Sequence, residues 1–256
     1  RAGALNSMPD ARLVEIQSRL KAGDAAGARS LAASALADGA LPIQDRFAAL
    51  VLRARASVAL GDLPNAIPDL EGALALDARQ PRIWNELGLM CADAGLNDRA
   101  IAAFQRAVHG DPAYARAWNN LGNALRFAGR VDEAILAVER AVAANPGYAL
   151  GWSNLGTVKR DVGDDAAAEA ALSRALALEP ENHRAMATMA GILRARWDAA
   201  SAARLLQRVV ERDPRDAQSM LQLAGALAEC GDLDGARAAF AKTAERDPHM
   251  LRALFG

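Results

Sequence analysis

The sequence predicts an all-α fold, a superhelical solenoid of about seven helical hairpins. Two sets of residues recur every 34 positions along the 256-residue chain: Trp84, Trp118 and Trp152, and Pro112, Pro146, Pro180, Pro214 and Pro248. Within each 34-residue unit, apolar residues are spaced as on helices. The composition agrees, because 52% hydrophobic but only 4% aromatic residues suit close helix packing better than a sandwich or barrel. Such arrays usually act by offering a long binding surface.

Residues 81–114 show the repeating unit most clearly. Two apolar stripes with helical spacing predict two helices, the first from Trp84, Leu87, Gly88 and Cys91 and the second from Ala100, Phe104 and Ala107. Gly95 separates these helices, and Asn97 or Asp98 is placed to cap the second one. Pro112 then ends the second helix. The unit is therefore predicted to be a helical hairpin with a small residue, Gly88, where its helices cross.

The chain is predicted to contain the following segments in order. Residues 1–8 are expected to be vector-derived or disordered, and residues 9–46 to form a degenerate hairpin and a linker. Six tandem hairpins follow, at residues 47–80, 81–114, 115–148, 149–182, 183–216 and 217–250. Met186 and Met220 replace the Trp in the last two hairpins. Residues 251–256 read as the start of another helix, which predicts that the chain is a fragment of a longer protein.

Trp197 stands where the other well-matched repeats have glycine in the turn between their helices. Because a left-handed turn favours glycine, this repeat is expected to make its turn in another way. Two interpretations of the ring remain open: it substitutes for a packing residue, or it is an exposed contact residue.

The residues that recur in these units resemble the signature of the tetratricopeptide repeat family. That signature is Trp, Leu-Gly, a bulky residue, Ala, an aromatic residue or Leu, Ala and Pro, and it is matched over nearly the whole chain from about residue 9. The resemblance implies a right-handed superhelix in which the first helix of every hairpin lines the concave side. It does not imply a ligand.

The second, fifth, ninth and twelfth residues of each first helix share one stripe, because a helix turns by about 100° per residue. In a tetratricopeptide array this stripe faces the groove. It predicts a basic, amide-rich groove that binds an extended acidic peptide, since Asn both donates and accepts hydrogen bonds and Arg grips carboxylates. Together with Asn120 and Asn154 at the sixth position, the predicted groove residues are Asn85, Arg116, Asn119, Asn123, Arg126, Thr157, Arg160, Arg184 and Arg194. The alternative is a solvated wall in which Asp93, Asp161 and Glu229 neutralise the arginines.

Two comparisons within the family refine the prediction. The clamps that bind the acidic carboxyl termini of heat-shock chaperones are similar at Asn123, Asn154 and Arg184, but this chain has Asn119 and Thr188 where the clamp has cations. The Asn row also resembles the asparagine ladder of O-linked N-acetylglucosamine transferases, through Asn85, Asn120 and Asn154. That resemblance leaves an alternative function: the substrate-recruiting tetratricopeptide arm of a larger, bacterial enzyme such as a glycosyltransferase.

The chain itself is not predicted to be an enzyme, and no cofactor or metal is expected. His109, His183 and His249 lie near turns between repeats at no metal-ligand spacing. The acidic pairs Asp132-Glu133 and Asp164-Asp165 lie at the starts of second helices, where carboxylates cap backbone amides.

The charge balance and the cysteines limit the class of partner and the cellular compartment. Thirty basic residues balance 31 acidic ones, which favours a protein or peptide partner over nucleic acid or a membrane. Cys91 and Cys230 lie in different repeats and are expected to be small buried residues of a cytoplasmic protein. The last hairpin, near Phe240 and Leu254, is expected to lack a polar capping helix, which predicts a homodimer through its apolar surface.

Overall fold

The computed structural model describes residues 10–246. These residues form fourteen α-helices: α1 (Ala11–Lys21), α2 (Ala25–Ala37), α3 (Ile43–Ala59), α4 (Leu63–Leu76), α5 (Pro81–Asp93), α6 (Asn97–Gly110), α7 (Ala115–Phe127), α8 (Val131–Ala144), α9 (Ala149–Asp161), α10 (Asp165–Leu178), α11 (His183–Ala195), α12 (Ala199–Arg212), α13 (Ala217–Glu229) and α14 (Leu233–Arg246). The all-α prediction is confirmed. The predictions for residues 1–8 and 251–256, and for Pro248, His249 and Leu254, lie outside the described residues.

The helices group into two compact units, Arg1–Gly129 and Arg130–Gly256. In the first unit, α1 packs on α2, α3 on α4 and α5 on α6; in the second, α9 packs on α10, α11 on α12 and α13 on α14. We call the odd-numbered helices first helices and the even-numbered ones second helices. The linker predicted at the end of residues 9–46 differs from the structure, since α3 already begins at Ile43 and is 17 residues long.

Glycine marks the crossing of two paired helices in each unit. A β-carbon at Gly88 in α5 would lie 2.5 Å from Cε1 of Phe104, which is 2% exposed in α6. A β-carbon at Gly156 in α9 would lie 2.5 Å from Cγ of Leu172, which is fully buried in α10. Each glycine therefore lets a large side chain of the second helix sit directly on the backbone of the first helix.

The repeating Trp side chains fasten the loops that precede their own helices. Nε1 of Trp84 donates a hydrogen bond to the carbonyl oxygen of Ala78 at 2.8 Å. Nε1 of Trp118 and Nε1 of Trp152 donate in the same way to carbonyl oxygens six residues upstream, each at 2.9 Å. All three side chains are half-buried. Because a buried indole needs a partner for its N–H, this hydrogen bond lets the ring pack with its polar edge satisfied.

The helix starts differ from the predicted caps at two of the three places. Leu96 is the N-cap of α6 and makes no side-chain cap hydrogen bond, so neither Asn97 nor Asp98 caps this helix. Asp164 does cap α10, because its carboxylate accepts from the amide of Ala167 at 3.1 Å. At α8 the N-cap is Arg130, again without a side-chain cap bond; Asp132 and Glu133 lie in its first turn.

The cysteine prediction is half right. Cys91 is buried in α5, and burial raises the pKa of its thiol above the ordinary range. Cys230, at the end of α13, is exposed, and its Sγ donates to the carbonyl oxygen of Leu227 at 3.3 Å. The periodic pattern does not bury it because it lies just after the last residue of α13, in the turn before α14. Both thiols are free.

Trp197 forms the turn between α11 and α12 in the same backbone conformation that glycine adopts elsewhere. Its φ is 66°, beside 74° for Gly95 and 80° for Gly163 in the equivalent turns. The expectation of another kind of turn is therefore wrong. The side chain is 94% exposed, which excludes the packing interpretation and leaves that of an exposed residue.

Replacing Trp197 with glycine should stabilise the protein. The left-handed conformation costs a residue with a β-carbon roughly 1–2 kcal/mol, so the free energy of unfolding should rise by about 1 kcal/mol after the greater chain entropy of unfolded glycine is subtracted. Urea unfolding followed by circular dichroism measures the change. Trp197→Ala is the control, because it removes the ring but keeps the β-carbon, and it should give no comparable gain. A less stable glycine variant would contradict the assignment.

Candidate functional site

The first helices contact one another within each unit, so their side chains form a shared wall. α5 contacts α7 in the first unit, and α9 contacts α11 in the second. The eleven predicted groove residues differ widely in exposure. Arg116 and Arg184 are exposed; Asn120, Asn123, Arg126, Thr157, Arg160 and Arg194 are half-buried; Asn85, Asn119 and Asn154 are buried.

Two of the predicted groove asparagines, Asn85 and Asn154, accept hydrogen bonds that join neighbouring first helices. Nδ2 of Asn120 in α7 donates to Oδ1 of Asn85 in α5 at 2.9 Å, and Asn85 is only 3% exposed. In the second unit, Nη1 of Arg184 in α11 donates to Oδ1 of Asn154 in α9 at 3.1 Å. The prediction of open amides thus needs correction at Asn85, Asn119 and Asn154, because their burial keeps these amides from solvent.

Thr157 also makes an internal contact, which lowers its capacity to bind a ligand. Its Oγ1 donates to the carbonyl oxygen of Ser153 one turn earlier, at 3.0 Å. Thr188 makes the same kind of bond to the carbonyl oxygen of Arg184, at 2.8 Å. Hydroxyls of helical threonines often bond in this way, and the sequence pattern does not distinguish them from hydroxyls that face a ligand.

Arginine side chains at the twelfth position of the first helices reach across to the next first helix in the second unit. A terminal guanidinium nitrogen of Arg160 in α9 lies 3.3 Å from the point that a β-carbon on Gly191 would occupy. Arg194 in α11 lies over Gly225 in α13 in the same way, at 3.0 Å. In the first unit, Arg126 has its guanidinium carbon 5.1 Å from the centroid of the Phe127 ring. The first two guanidinium groups thus reach the next first helix at a position that has no side chain.

Two of the predicted neutralising carboxylates lie beside an arginine: Asp161 forms an ion pair with Arg160, with 3.6 Å between Oδ1 and Nη2, and Glu229 pairs with Arg194. Glu229 accepts two hydrogen bonds from Arg194, from Nε at 2.9 Å and from Nη2. The guanidinium lowers the pKa of the Glu229 carboxyl below its ordinary value, and the carboxylate raises the pKa of Arg194. The pair therefore stabilises the fold above the ordinary pKa of glutamate, and this is lost as the pH falls through the lowered pKa. Because both side chains are partly exposed, we expect the pair to contribute about 1 kcal/mol or less.

Sequence reasoning missed two features of the wall. Arg55 in α3 binds Glu86 in α5 through two hydrogen bonds, at 3.0 and 2.6 Å, so polar pairing between first helices starts one repeat before the predicted groove. The second feature is the pair Gly191 and Gly225, to which the predicted groove assigns no role although arginines reach over both. The signal was present, since glycine recurs at the ninth position of two consecutive first helices and helix interiors disfavour it.

The structure adds two observations on other kinds of site. In the described part of the chain, no three or more His, Cys, Asp or Glu residues are grouped so that they could hold a metal ion. Of the helices between residues 10 and 246, none combines the length and hydropathy of a membrane span.

Comparison with known families identifies the repeats. The family model described as tetratricopeptide repeat matches residues 13–81, 51–115 and 92–149. The chain belongs to the tetratricopeptide repeat family. The tetratricopeptide domain of cytochrome c-type biogenesis protein H also matches, over residues 135–249. The resemblance drawn from the Trp, Gly and Pro spacing is therefore confirmed.

Solved tetratricopeptide structures share the fold. PilF of Pseudomonas aeruginosa is 20% identical, with a TM-score of 0.70 over 80% of this chain and 94% of that one. MamA is 25% identical, with a TM-score of 0.57 over 64% of this chain and 96% of that one. YrrB, described as a tetratricopeptide protein with an unusual peptide-binding site, is 20% identical, with a TM-score of 0.56 over 73% and 96%. These similarities confirm the predicted class, an all-α solenoid of helical hairpins. Comparison with curated proteins gave no match.

Proposed function

We propose that this tetratricopeptide repeat protein is an interaction scaffold that holds an extended, acidic segment of a protein partner against its first helices. The proposal assigns no catalysis to the described residues. It gains support from YrrB, a similar fold whose structure is described by its peptide-binding site. A peptide lying across successive helices would be read by one or two side chains from each of them, as in other extended recognition modes.

The observation that carries the proposal is positive charge on the first helices of the second unit that is not hydrogen-bonded to a carboxylate. Arg160 and Arg184 both reach solvent, and within residues 130–246 neither donates a hydrogen bond to a carboxylate. Guanidinium groups without a hydrogen bond to a carboxylate favour a ligand that supplies one, because charge-assisted hydrogen bonds are about twice as strong as neutral ones. The overall charge balance of the chain hides this local positive charge.

Reversing the charge of both arginines should abolish most of the peptide binding. For the variant Arg160→Glu/Arg184→Glu, we expect the Kd of acidic peptides to rise about tenfold or more, since two favourable contacts become repulsive. Peptides are first selected from a random display library on the wild-type protein and then measured by fluorescence anisotropy. Circular dichroism checks that helicity is unchanged.

The matched control moves the same charge change to the second helices. Arg140→Glu/Arg174→Glu alters two exposed arginines of α8 and α10 and should leave the Kd within about twofold. The proposal fails if the library yields no linear peptide, if the selected peptides are not acidic, or if the control weakens binding as much as the test variant.

A further inference from the structure

Arg160 and Arg194 occupy equivalent positions in consecutive repeats, and each reaches the equivalent glycine of the next first helix. They are 34 residues apart, and each guanidinium lies over the glycine that comes 31 residues later, Gly191 for Arg160 and Gly225 for Arg194. A β-carbon at either glycine would press on the guanidinium nitrogens from 3.3 and 3.0 Å. The glycines thus allow the two side chains to extend along the wall in one defined direction.

The two arginines differ in what they meet at the end of the next first helix. Arg194 meets Glu229, the last residue of α13, which binds it through both carboxylate oxygens. The residue equivalent to Glu229 one repeat earlier is Ala195, the last residue of α11. Ala195 is exposed and its side chain carries no acceptor, so α11 supplies no carboxylate to Arg160 at the position from which Glu229 binds Arg194.

The other groups near Arg160 do not fill this place. The carboxylate in reach belongs to Asp161, its own neighbour in the chain, and the Nη2 to Oδ1 distance of 3.6 Å is too long for a hydrogen bond. In the described part of the second unit Arg160 makes no side-chain hydrogen bond, and its side chain is 39% exposed. A guanidinium has five N–H donors, so Arg160 retains the full fork that recognises a carboxylate.

We propose that Arg160 is the binding site for a ligand carboxylate, held in the two-point geometry that Glu229 shows on Arg194. The inference rests on the proposed peptide-binding function and makes it more specific. Glu229 of the chain itself binds Arg194, whereas Arg160 is left for a carboxylate of the partner. The twelfth-position arginines of the second unit therefore bind one acidic group of the partner. Gly191 is a positioning residue, because it lets the Arg160 guanidinium lie against α11.

The test supplies the missing carboxylate from the chain itself. Ala195→Glu should pair with Arg160 and close the site, raising the Kd of an acidic peptide about tenfold, whereas Ala195→Gln, of equal size and uncharged, should change it less than about threefold. The reverse variant Glu229→Ala makes the later repeat resemble the earlier one and should tighten binding of a peptide with several carboxylates by about threefold.

The probes are three fluorescein-labelled peptides of Glu-Gly-Ser repeats. One has an amidated carboxyl terminus, one has Gln in place of Glu and a free terminus, and one has Gln and an amidated terminus. Binding of the first alone assigns the site to acidic side chains, and binding of the second alone assigns it to a terminal carboxylate. Equal weakening by Ala195→Glu and Ala195→Gln would mean simple obstruction and would overturn the inference, as would no weakening by either.

A second measurement needs no peptide, and it separates failure of this inference from failure of the proposed function. In Ala195→Glu, an NMR titration should place the carboxyl pKa of the introduced glutamate below its ordinary range, and adding Arg160→Gln should return it to that range. A lowered pKa without peptide binding would support the carboxylate site at Arg160 and contradict the proposal that the protein binds a peptide there. An unshifted pKa would overturn the assignment of Arg160, whatever the peptides do.

Discussion

Replacing Phe104 with alanine should lower the free energy of unfolding by about 3–5 kcal/mol, at the upper end of the range for aromatic truncations. Phe104 is 2% exposed, and its ring lies directly on the backbone of Gly88. Gly88 has no side chain that could move into the vacated space, so the first helix cannot help to close the cavity at this contact. The loss of stability should therefore include both the free energy of transferring the ring out of water and the cost of the cavity that it leaves.

Urea unfolding and hydrogen exchange measure this effect and localise it. Phe104→Leu, which keeps most of the volume, should cost about 1.5 kcal/mol or less. Phe127→Ala removes the same ring from a site that is 76% exposed, and it should cost no more than about 1 kcal/mol. Exchange protection should fall first in α5 and α6 and in α4 and α7, which contact them. A loss near that of Phe127→Ala would contradict the packing described for Phe104.

Adding one methyl group at the opposite side of this contact should also destabilise the protein. In Gly88→Ala the new β-carbon would meet ring atoms of Phe104 at 2.5 and 2.6 Å, and we expect a loss of about 2–3 kcal/mol. Gly156→Ala should cost less, about 1–2 kcal/mol, because the flexible Leu172 side chain can adjust, although the backbone oxygen of Ala168 at 3.1 Å limits the movement.

A second substitution tests whether the loss comes from this contact. Ala190 and Leu206, both fully buried, occupy the equivalent places in α11 and α12, so an Ala–Leu pair already packs at this crossing. Phe104→Leu should accordingly restore at least about 1 kcal/mol to Gly88→Ala. Additive losses in the double variant would show that the destabilisation arises elsewhere. Both stability measurements use urea denaturation with circular dichroism at one pH and salt concentration.

The fold could be predicted because its determinants are local and repeated. Packing requires glycine where a neighbouring ring lies against the helix backbone, as at Gly88. The same requirement recurs at intervals of 34 residues, so it is visible in the sequence. Trp197 was harder to interpret. Its position in the repeat predicted the turn, but only the structure shows that tryptophan itself adopts the positive φ that glycine adopts elsewhere.

The candidate site could be predicted only in part, because side chains on one stripe have different partners. Helical periodicity placed Asn85 and Arg116 on the same wall, and the structure keeps one buried against Asn120 and the other exposed. Whether a carboxylate of the next repeat accepts hydrogen bonds from an arginine depends on the residue there, Glu229 for Arg194 and Ala195 for Arg160. A periodic reading of single helices cannot supply that pairing, whereas comparing residues 35 positions apart could have suggested it.

The four tryptophans give the protein an optical reporter of its own. Three indoles are half-buried and hydrogen-bonded to loop carbonyls, while Trp197 stands almost wholly in solvent at the α11–α12 turn. A soluble quencher such as iodide should first remove the red-shifted emission of Trp197 and leave that of the other three. The remaining fluorescence would then follow residues 81–152 during denaturation, and the quenched fraction would follow the α11–α12 hairpin, without any added label.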